Sequence, residues 1–390
     1  MFFGSYLYDQ LSFKNLTCYT ATMLKVAIVH DFLLRLGGAE RVLAALAELY
    51  KNAPIYTLLY DEKTTWKEFP HERIRPSGLQ KLPRFIRNNH RYLIGMMPRA
   101  LEAWDFSEYD LVISSNTALS HGIVTPSHTM HISYIHSPMR FAWDWTHEYL
   151  KNESLLKRAA GALLLKKLRL WDQYASDRPD HLIANSRNIQ RRIHKYYRRD
   201  AAVVYPPVDI ERFSPAKRRE NYFVMISNLT PYKRVDLAIY LFNKIGRRLV
   251  IIGDGPQRDF LKSIAGPNIE FQGFLSDTES AAILSKAQAL IFPGEEDFGI
   301  VPVEAMACGV PVLALRRGGV QESVIEGVTG EFFDEANVAS MEAGLARLIL
   351  NLKKYDRNVI RARAEEFSKA NFLSRMRYVI RQMRSQAKLH

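Results

Sequence analysis

The chain has 390 residues, of which 47% are hydrophobic and 24% are charged. These values are typical of folded globular proteins and exclude a disordered or fibrous chain. The length exceeds what one compact core usually serves and predicts two α/β domains. No segment reaches the roughly 18 uninterrupted apolar residues that a membrane-spanning helix needs. The net charge of +13 favours anionic partners, with nucleic acid, phospholipid headgroups and diphosphates as candidates.

The cysteines and the first residues indicate the compartment. Cys18 and Cys308 have no paired spacing that would indicate a disulfide framework or a zinc site, so a reducing cytoplasm is expected. Residues 1–22 lack a basic start and a compact apolar stretch, and therefore do not indicate a secretory signal. We expect 1–22 to be a disordered extension, of the kind that an upstream start codon adds, with Met23 opening the first strand.

The first half of the chain alternates strand and helix patterns. A β-branched run at 24–30 precedes the glycine turn Gly37-Gly38 and the apolar helix pattern 42–49, which predicts a strand, a turn and a helix. Further strands are predicted at 55–59, 111–114, 131–135 and 181–184. Residues 23–206 are therefore predicted to form an α/β sheet domain.

Two prolines, Pro206 and Pro207, interrupt this alternation, because proline continues neither a helix interior nor a strand ladder. We place the domain boundary there and predict a second α/β domain over 207–364. Its strands are predicted at 222–226, 249–252, 269–271, 289–292 and 310–314. The basic helical pattern of 365–390 is expected to pack back on the first domain. Ligands of open parallel sheets bind beyond the carboxyl ends of the strands, which predicts a site in the cleft between the domains.

Two carboxylates flank a predicted helix start in the second domain. Glu296 and Glu304 are separated by seven residues, with Phe298-Gly299 in a turn and Pro302 in the first helical turn. Carboxylate oxygens accept hydrogen bonds from sugar hydroxyls, and a helix N-terminus binds phosphate. The spacing therefore favours a site for a sugar joined to a phosphate, and a solvated acidic loop is the alternative.

Other candidate residues also follow predicted strands. Lys233 begins a helix, where its ammonium can neutralise a diphosphate, and an ordinary surface lysine is the alternative. The turn Gly253-Asp254-Gly255 lets a backbone approach a ligand closely, although many such turns only end strands. Gly37-Gly38 lacks the full G-x-G-x-x-G fingerprint, which counts against a nicotinamide oxidoreductase. His136 is either a ligand contact or a structural histidine.

These motifs resemble those of family 4 of the retaining glycosyltransferases, which have the GT-B fold of two facing Rossmann-like α/β domains with a central cleft. The family fingerprint is a Glu pair seven residues apart around Phe-Gly and Pro, and the resemblance extends over nearly the whole chain from Met23. Within the family, the mannosyltransferases of O-antigen and exopolysaccharide assembly are most similar. They share Val29-His30-Asp31-Phe32, Gly37-Gly38-Ala39-Glu40-Arg41 and His136-Ser137-Pro138-Met139-Arg140-Phe141.

The resemblance implies roles for the matched residues. Catalytic roles are implied for Glu296 at the donor sugar, for His136, and for Lys233 beside the departing phosphates. Glu304 is implied to hold the ribose. Arg140 is a candidate for contact with the diphosphate of a lipid-linked acceptor, and an exposed arginine is the alternative. The implied donor-binding set is Gly37, Gly38, Asn228, Arg234, Gly253, Gly255, Phe274, Phe298, Gly299, Ile300 and Glu304.

One position departs from the family pattern. The family usually has an arginine where Asn228 stands, five residues before Lys233. Arg234 is the candidate replacement for this cation.

The resemblance implies transfer of a sugar, mannose from GDP-mannose, with retention of configuration. The implied acceptor is polyprenyl-diphosphate-linked or an oligosaccharide, in surface polysaccharide assembly. The nucleotide-sugar is a co-substrate, and no cofactor is implied. No Asp-x-Asp motif follows a strand and no His/Cys cluster occurs, so we assign the diphosphate charge to Lys233, helix N-termini and backbone amides, and expect no metal. An epimerase or synthase of the same fold and a non-catalytic nucleotide-sugar-binding subunit are the alternatives.

Two stretches of the first domain, 82–94 and 155–170, interleave basic, aromatic and aliphatic residues. A basic amphipathic helix can rest on anionic headgroups, so these stretches predict a protein peripheral on the cytoplasmic face of a membrane. Packing of their apolar residues in the core, with the cations in solvent, is the alternative. Nucleic-acid binding is disfavoured because no compact recognition motif is present and the cations are spread through a sheet pattern.

Overall fold

The computed structural model describes residues 24–65, 68–144 and 154–387. The predicted extension 1–22 and Met23 lie outside these residues. The described chain forms two parallel sheets, each covered by helices, which confirms the predicted fold class of two α/β domains.

The sheet of the first domain has seven parallel strands. They are β1 Val26–Leu33, β2 Ile55–Tyr60, β3 Ile74–Pro76, β4 Leu111–Asn116, β5 Met130–Ile135, β6 His181–Ala184 and β7 Ala202–Val203. Their order is β3-β2-β1-β4-β5-β6-β7. β1 is buried along nearly its whole length, because helices cover both faces of a parallel sheet. β3 and β7 were not predicted from the sequence, because strands of three and two residues are too short to show a pattern.

The helices of the first domain are α1 Gly38–Leu49, α2 Glu62–Thr65, α3 Arg84–Asn88, α4 Met97–Glu102, α5 Arg140–Trp143, α6 Leu155–Ala175 and α7 Arg187–Tyr197. The apolar residues of α1 pack on one face of the sheet against β1 and β2. α7 begins after Ser186, whose hydroxyl accepts a hydrogen bond from the Ile189 N–H at 3.1 Å. No helix among the described residues is both long and apolar enough to cross a membrane.

The second domain has a six-stranded parallel sheet. Its strands are β8 Phe223–Ile226, β9 Leu249–Ile252, β10 Ile269–Gly273, β11 Leu290–Phe292, β12 Val312–Leu315 and β13 Gly330–Phe333, in the order β10-β9-β8-β11-β12-β13. Its helices are α8 Val235–Ile245, α9 Arg258–Ser263, α10 Asp277–Lys286, α11 Ile300–Ala307, α12 Val320–Ser323, α13 Val338–Asn351 and α14 Arg357–Glu365. Cys308 is buried in the core of this domain.

The chain crosses back to the first domain through a last helix, α15 Lys369–Ala387. This helix begins four residues later than the predicted 365, because α14 continues through Glu365. Its apolar side chains join the core of the first domain: Phe372, Leu373, Met376, Val379, Ile380 and Met383. At the crossing, Ser368 pairs with Val208 in an isolated parallel bridge.

Shortening a buried side chain of this helix should therefore destabilise the first domain. Met376 is fully buried, and Met376→Ala is expected to lower the free energy of unfolding by about 2–5 kcal/mol, through lost burial and the cavity left behind. Denaturant unfolding measures the change. The neighbouring Tyr378 is 54% exposed, so Tyr378→Ala is the control and should change stability much less. Equal effects of the two substitutions would contradict the docking of α15.

Candidate functional site

A cavity of about 540 Å³ lies where the carboxyl ends of the two sheets face each other. The first domain contributes the loops after β1, β5 and β6, and the second domain those after β8, β9, β10 and β11. Its lining includes Gly37, Gly38, Arg41, His136, Arg140, Asn185, Asn228, Lys233, Gly253, Phe274, Glu296, Phe298, Gly299, Ile300 and Glu304. Strand-end loops of parallel sheets are where such folds bind ligands.

The N-terminus of α11 opens into this cavity. Gly299 precedes the helix with φ +86°, a left-handed conformation that favours glycine. The first helical N–H groups have no partner within the helix and are available to an anion. Pro302 fits the first turn because its missing N–H would be unpaired there. Glu304 lies one turn further along and is 7% exposed.

A second glycine pair, Gly318-Gly319, supports the loop that carries the first carboxylate. A Cβ atom on Gly318 would lie 2.2 Å from the Glu296 carbonyl oxygen, and one on Gly319 would lie 2.1 Å from that of Asp297. The Gly319 N–H donates to the Glu296 carbonyl at 2.9 Å. The two glycines therefore fix the backbone of the Glu296 loop by close approach, and the sequence motifs gave no reason to select them.

Glu296 and Lys233 form an ion pair in the cavity wall. Their side chains are 24% and 13% exposed, so solvent screens the pair less than it would at the surface. The Lys233 ammonium also lies 4.9 Å from the centre of the Tyr232 ring. A Cβ on Gly294 would meet Lys233 Cα at 2.9 Å, so the two loops touch directly. The predicted catalytic carboxylate and the predicted phosphate clamp thus neutralise each other.

His136 faces the cavity from the end of β5. Its Nε2 lies 2.9 Å from the Ser115 hydroxyl oxygen, and its carbonyl accepts a hydrogen bond from the Asn185 side chain at 3.0 Å. Burial, together with the nearby His30, lowers the pKa of His136 to about 3. The imidazole is therefore neutral at physiological pH, so it can form hydrogen bonds with a ligand but cannot act as a cation.

Three other predicted residues contribute differently from one another. Asn228 and Gly253 line the cavity, whereas Gly255 does not. A Cβ on Gly253 would lie 1.9 Å from the Ser227 carbonyl oxygen, and one on Gly255 would lie 2.6 Å from that of Leu229. Gly255 therefore allows two loops to pack closely behind the site.

The prediction that Arg234 supplies a cation beside Asn228 stays a prediction, because in this structure its guanidinium is paired elsewhere. Arg234 adopts a left-handed φ of +51°, and its guanidinium donates to the Asp236 carboxylate at 3.2 and 3.3 Å. It lines a neighbouring cavity rather than the one with Lys233. The local ion pair with Asp236 explains why proximity in sequence did not bring it to the site.

The two aromatic residues predicted at the site occupy opposite environments. Phe274 stands at the cavity rim and is 86% exposed, so one face is open to a planar ligand. Phe298 is 3% exposed and packs 5.4 Å from the ring of Phe367, where the chain crosses between the domains. Phe298 therefore connects the site to the crossing.

Ion pairs between the domains cross the cavity at two places. Arg41 of α1 pairs with Glu304 of α11. The carboxylate of Asp297 pairs with Arg140 at 2.5 Å and with Arg192 at 2.7 Å. Burial opposes the charged form of Arg140, but Asp297 outweighs it and raises the pKa of Arg140.

Arg140 thus lies in the cavity wall as an interdomain contact, whereas the sequence made it a candidate for contact with an acceptor. Arg41, Arg192 and Asp297 were not selected from the sequence, because no local pattern shows which side chains meet when two domains dock.

The described residues contain no group of three or more His, Cys, Asp or Glu side chains that could hold a metal ion. The cations that line the cavity are Arg41, Arg140 and Lys233, which pair with Glu304, Asp297 and Glu296. Asp254 and Asp277 also line it. This arrangement can accept hydrogen bonds from hydroxyls and can neutralise phosphate.

A two-domain α/β protein with a polar interdomain cleft is a known architecture of sugar-transferring enzymes, and the comparisons identify the family. The model of "Glycosyltransferase Family 4" matches residues 36–212, and that of "Glycosyl transferases group 1" matches residues 208–365. An uncharacterized glycosyltransferase of Methanocaldococcus jannaschii is 30% identical over 251 residues, which is 61% of this chain and 71% of that protein. The chain therefore belongs to the group 1 (family 4) glycosyltransferases.

Other relatives differ in their substrates. The D-inositol 3-phosphate glycosyltransferase of Mycobacterium leprae is 28% identical over 204 residues, covering 46% of this chain and 48% of that protein. HepE of Anabaena, solved with UDP, has a TM-score of 0.69 at 16% identity over 92% of this chain and 100% of that chain. The lipopolysaccharide outer core galactosyltransferase WaaB has a TM-score of 0.62 at 18% identity over 92% and 99%. These structures share the GT-B fold, and the predicted likeness to mannosyltransferases stays a prediction.

Proposed function

We propose that this glycosyltransferase moves mannose from GDP-mannose, with retention of configuration, to a lipid-linked or oligosaccharide acceptor in surface polysaccharide assembly. The observation that carries the proposal is the meeting of Glu296, Lys233 and the α11 N-terminus in one interdomain cavity. The choice of mannose and of guanine rests on the resemblance of the first-domain motifs at 29–32, 37–41 and 136–141.

The proposed orientation of the donor follows from the charges and helix start that line the cavity. The phosphates lie at the backbone N–H of Ile300, at the start of α11, and beside Lys233, because both favour negative charge. The ribose lies against the buried carboxylate of Glu304, and the base lies along the exposed ring of Phe274. The donor sugar then reaches Glu296, which lies in the cavity wall on the loop after β11.

Catalysis in this arrangement depends on stabilising charge at the leaving group. The bond between the anomeric carbon and the phosphate oxygen breaks, and the departing nucleoside diphosphate gains negative charge near Lys233. The acceptor hydroxyl attacks from the face that the leaving group vacates and gives its proton to the departing phosphate oxygen, so configuration is retained without a covalent enzyme intermediate. When the phosphates bind the Lys233 ammonium, Glu296 loses this partner and binds the donor sugar instead.

A thermal-shift panel of GDP, UDP, ADP and their sugar conjugates tests the donor. A ligand at about 100 times its dissociation constant stabilises the folded state by about 2.7 kcal/mol, so the preferred nucleotide should give the largest shift. We expect GDP and GDP-mannose to give it. A larger shift with UDP would overturn the guanine assignment and leave the site assignment standing, whereas no shift with any nucleotide would contradict the site.

Activity is expected to persist without a metal ion. Lys233, the α11 N-terminus and backbone amides neutralise the diphosphate in our proposal, so no divalent cation is needed. Sugar transfer measured after extensive dialysis against a chelator should stay close to the untreated rate. Loss of activity that added magnesium restores would contradict this expectation.

An apolar and basic face of the first domain supports a lipid-linked acceptor. Phe85, Tyr92 and Leu163 are 71%, 80% and 58% exposed, and basic residues of α3 and α6 lie beside them in the sequence. Other apolar residues of the same stretches, such as Leu165 and Leu168, are buried in the core. Some apolar residues of these stretches are therefore exposed, as a membrane surface requires, and others pack in the core.

Binding to vesicles tests the membrane part of the proposal. Co-sedimentation with liposomes should rise with their content of anionic lipid and fall with salt, as expected for basic residues near headgroups. Replacing Phe85 with serine should weaken it, whereas Phe260→Ser, an exposed position of the second domain, should not. Co-sedimentation that does not depend on the content of anionic lipid would argue against a membrane-bound acceptor.

A further inference from the structure

Arg41 bridges the two domains at the edge of the donor cavity. Its guanidinium is paired with the Glu304 carboxylate on α11 and lies 3.3 Å from the Asp277 carboxylate at the start of α10. The Arg41 side chain is 33% exposed and that of Glu304 is 9% exposed. Burial opposes the charge on Arg41, but Glu304 and Asp277 outweigh it and raise the pKa of Arg41. The guanidinium is therefore a permanent cation in the cleft wall.

The Glu304 carboxylate has two competing uses. In the donor-binding arrangement it accepts hydrogen bonds from the ribose, yet in this structure the Arg41 guanidinium occupies the same carboxylate. Arg41 occupies Oε1 of Glu304, and the Glu304 residue is only 7% exposed. A ribose whose two hydroxyls bind both carboxylate oxygens must therefore displace the Arg41 contact.

The displaced guanidinium has an anionic partner within reach. Ile300 precedes Glu304 by four residues on α11, a rise of about 6 Å along the helix axis. The first turn of α1 abuts this helix start, because a Cβ on Gly38 would lie 2.9 Å from Ile300 Cδ1. We therefore expect a change of side-chain rotamer to carry the Arg41 guanidinium from Glu304 to a phosphate at the Ile300 N–H.

We propose that Arg41 is a donor-binding residue that exchanges Glu304 for the diphosphate when the nucleotide binds. This inference rests on the proposed function and names a residue of the first domain that holds the donor phosphates. The exchange keeps both side chains hydrogen-bonded: the ribose hydroxyls replace Arg41 on Glu304, and the phosphates replace Glu304 on Arg41. Lys233 then binds the phosphates from the second domain and Arg41 from the first, so the diphosphate ties the two domains together.

The test compares the affinity for a nucleoside with that for its diphosphate. The nucleoside carries the base that the wild-type chain prefers. Calorimetry on the full chain gives both dissociation constants, and their ratio reports the contribution of the phosphates. Arg41→Ala should weaken binding of the nucleoside diphosphate by about 10- to 100-fold, as expected for lost hydrogen bonds to a charged group. The nucleoside should bind as well as before or more tightly, because Glu304 loses its competitor.

Two further variants keep the result interpretable. Glu304→Gln should weaken binding of the nucleoside. The affinity for the diphosphate relative to that for the nucleoside should stay the same or grow, because Arg41 is released from Glu304. Arg212→Ala is the matched control: Arg212 also pairs with Asp277 but does not line the cavity, so the ratio should not change. Weakening of nucleoside and diphosphate by the same factor in Arg41→Ala would overturn the inference. Absence of any nucleotide binding by the wild type would overturn the proposed function together with it.

Discussion

Glu296→Gln is expected to lower kcat for sugar transfer by about 10²- to 10³-fold, the usual effect of removing one charge that stabilises a transition state. The carboxylate lies in the cavity wall paired with Lys233, and the substitution keeps its size while removing its charge. Nucleoside diphosphate binding should be retained or improved, because the Lys233 ammonium is then free for the phosphates. Steady-state transfer and calorimetry of the same variant measure the two effects.

The adjacent Glu295 provides the control. It is exposed and lines a neighbouring cavity rather than the donor cavity, so Glu295→Gln should leave both transfer and binding near the wild-type values. Unchanged turnover in Glu296→Gln would remove Glu296 from the catalytic site. Equal losses in the two variants would indicate that the loop, rather than the Glu296 charge, is responsible.

Lys233→Ala is expected to weaken nucleoside diphosphate binding by about 10- to 100-fold and to lower kcat by about 10²- to 10³-fold. Two causes act in the same direction. The phosphates lose a cation, and the partly buried Glu296 carboxylate, left without its partner, repels them.

The second cause makes a distinct prediction for the double variant. Lys233→Ala/Glu296→Gln should bind the diphosphate more tightly than Lys233→Ala alone, because the uncompensated carboxylate is gone. Lys244→Ala, at an exposed lysine of α8 paired with Glu342, should bind like the wild type. If the double variant binds no better than Lys233→Ala, Glu296 does not face the phosphates and the arrangement of the site is wrong.

The fold follows closely from local patterns in the sequence. Most strands are continuous apolar, β-branched runs, because each is buried on both faces of a parallel sheet, and such runs are visible without knowing the fold. The strands that escape this pattern are short or begin with glycine, as in β13 with Gly330. There a Cβ would lie 2.0 Å from the Val312 carbonyl oxygen, so glycine serves close strand packing and gives no strand signal.

The site follows only in part. Glu296, Glu304 and Lys233 could be found because their spacing relative to a helix start has a chemical meaning. Arg41 and Asp297 could not, because their partners lie in the other domain and only docking brings them together. Arg234 adjoins Lys233 in sequence, but it has a left-handed backbone and is paired with Asp236 in this structure.

A crystal structure of the full chain with the nucleoside diphosphate that stabilises it most would test the central claim most directly. We expect density for the diphosphate at the Ile300 N–H and beside Lys233, and for the ribose on Glu304, in the cavity between the two sheets. Density for the nucleotide in another cavity, or bound by one domain away from α11, would contradict it.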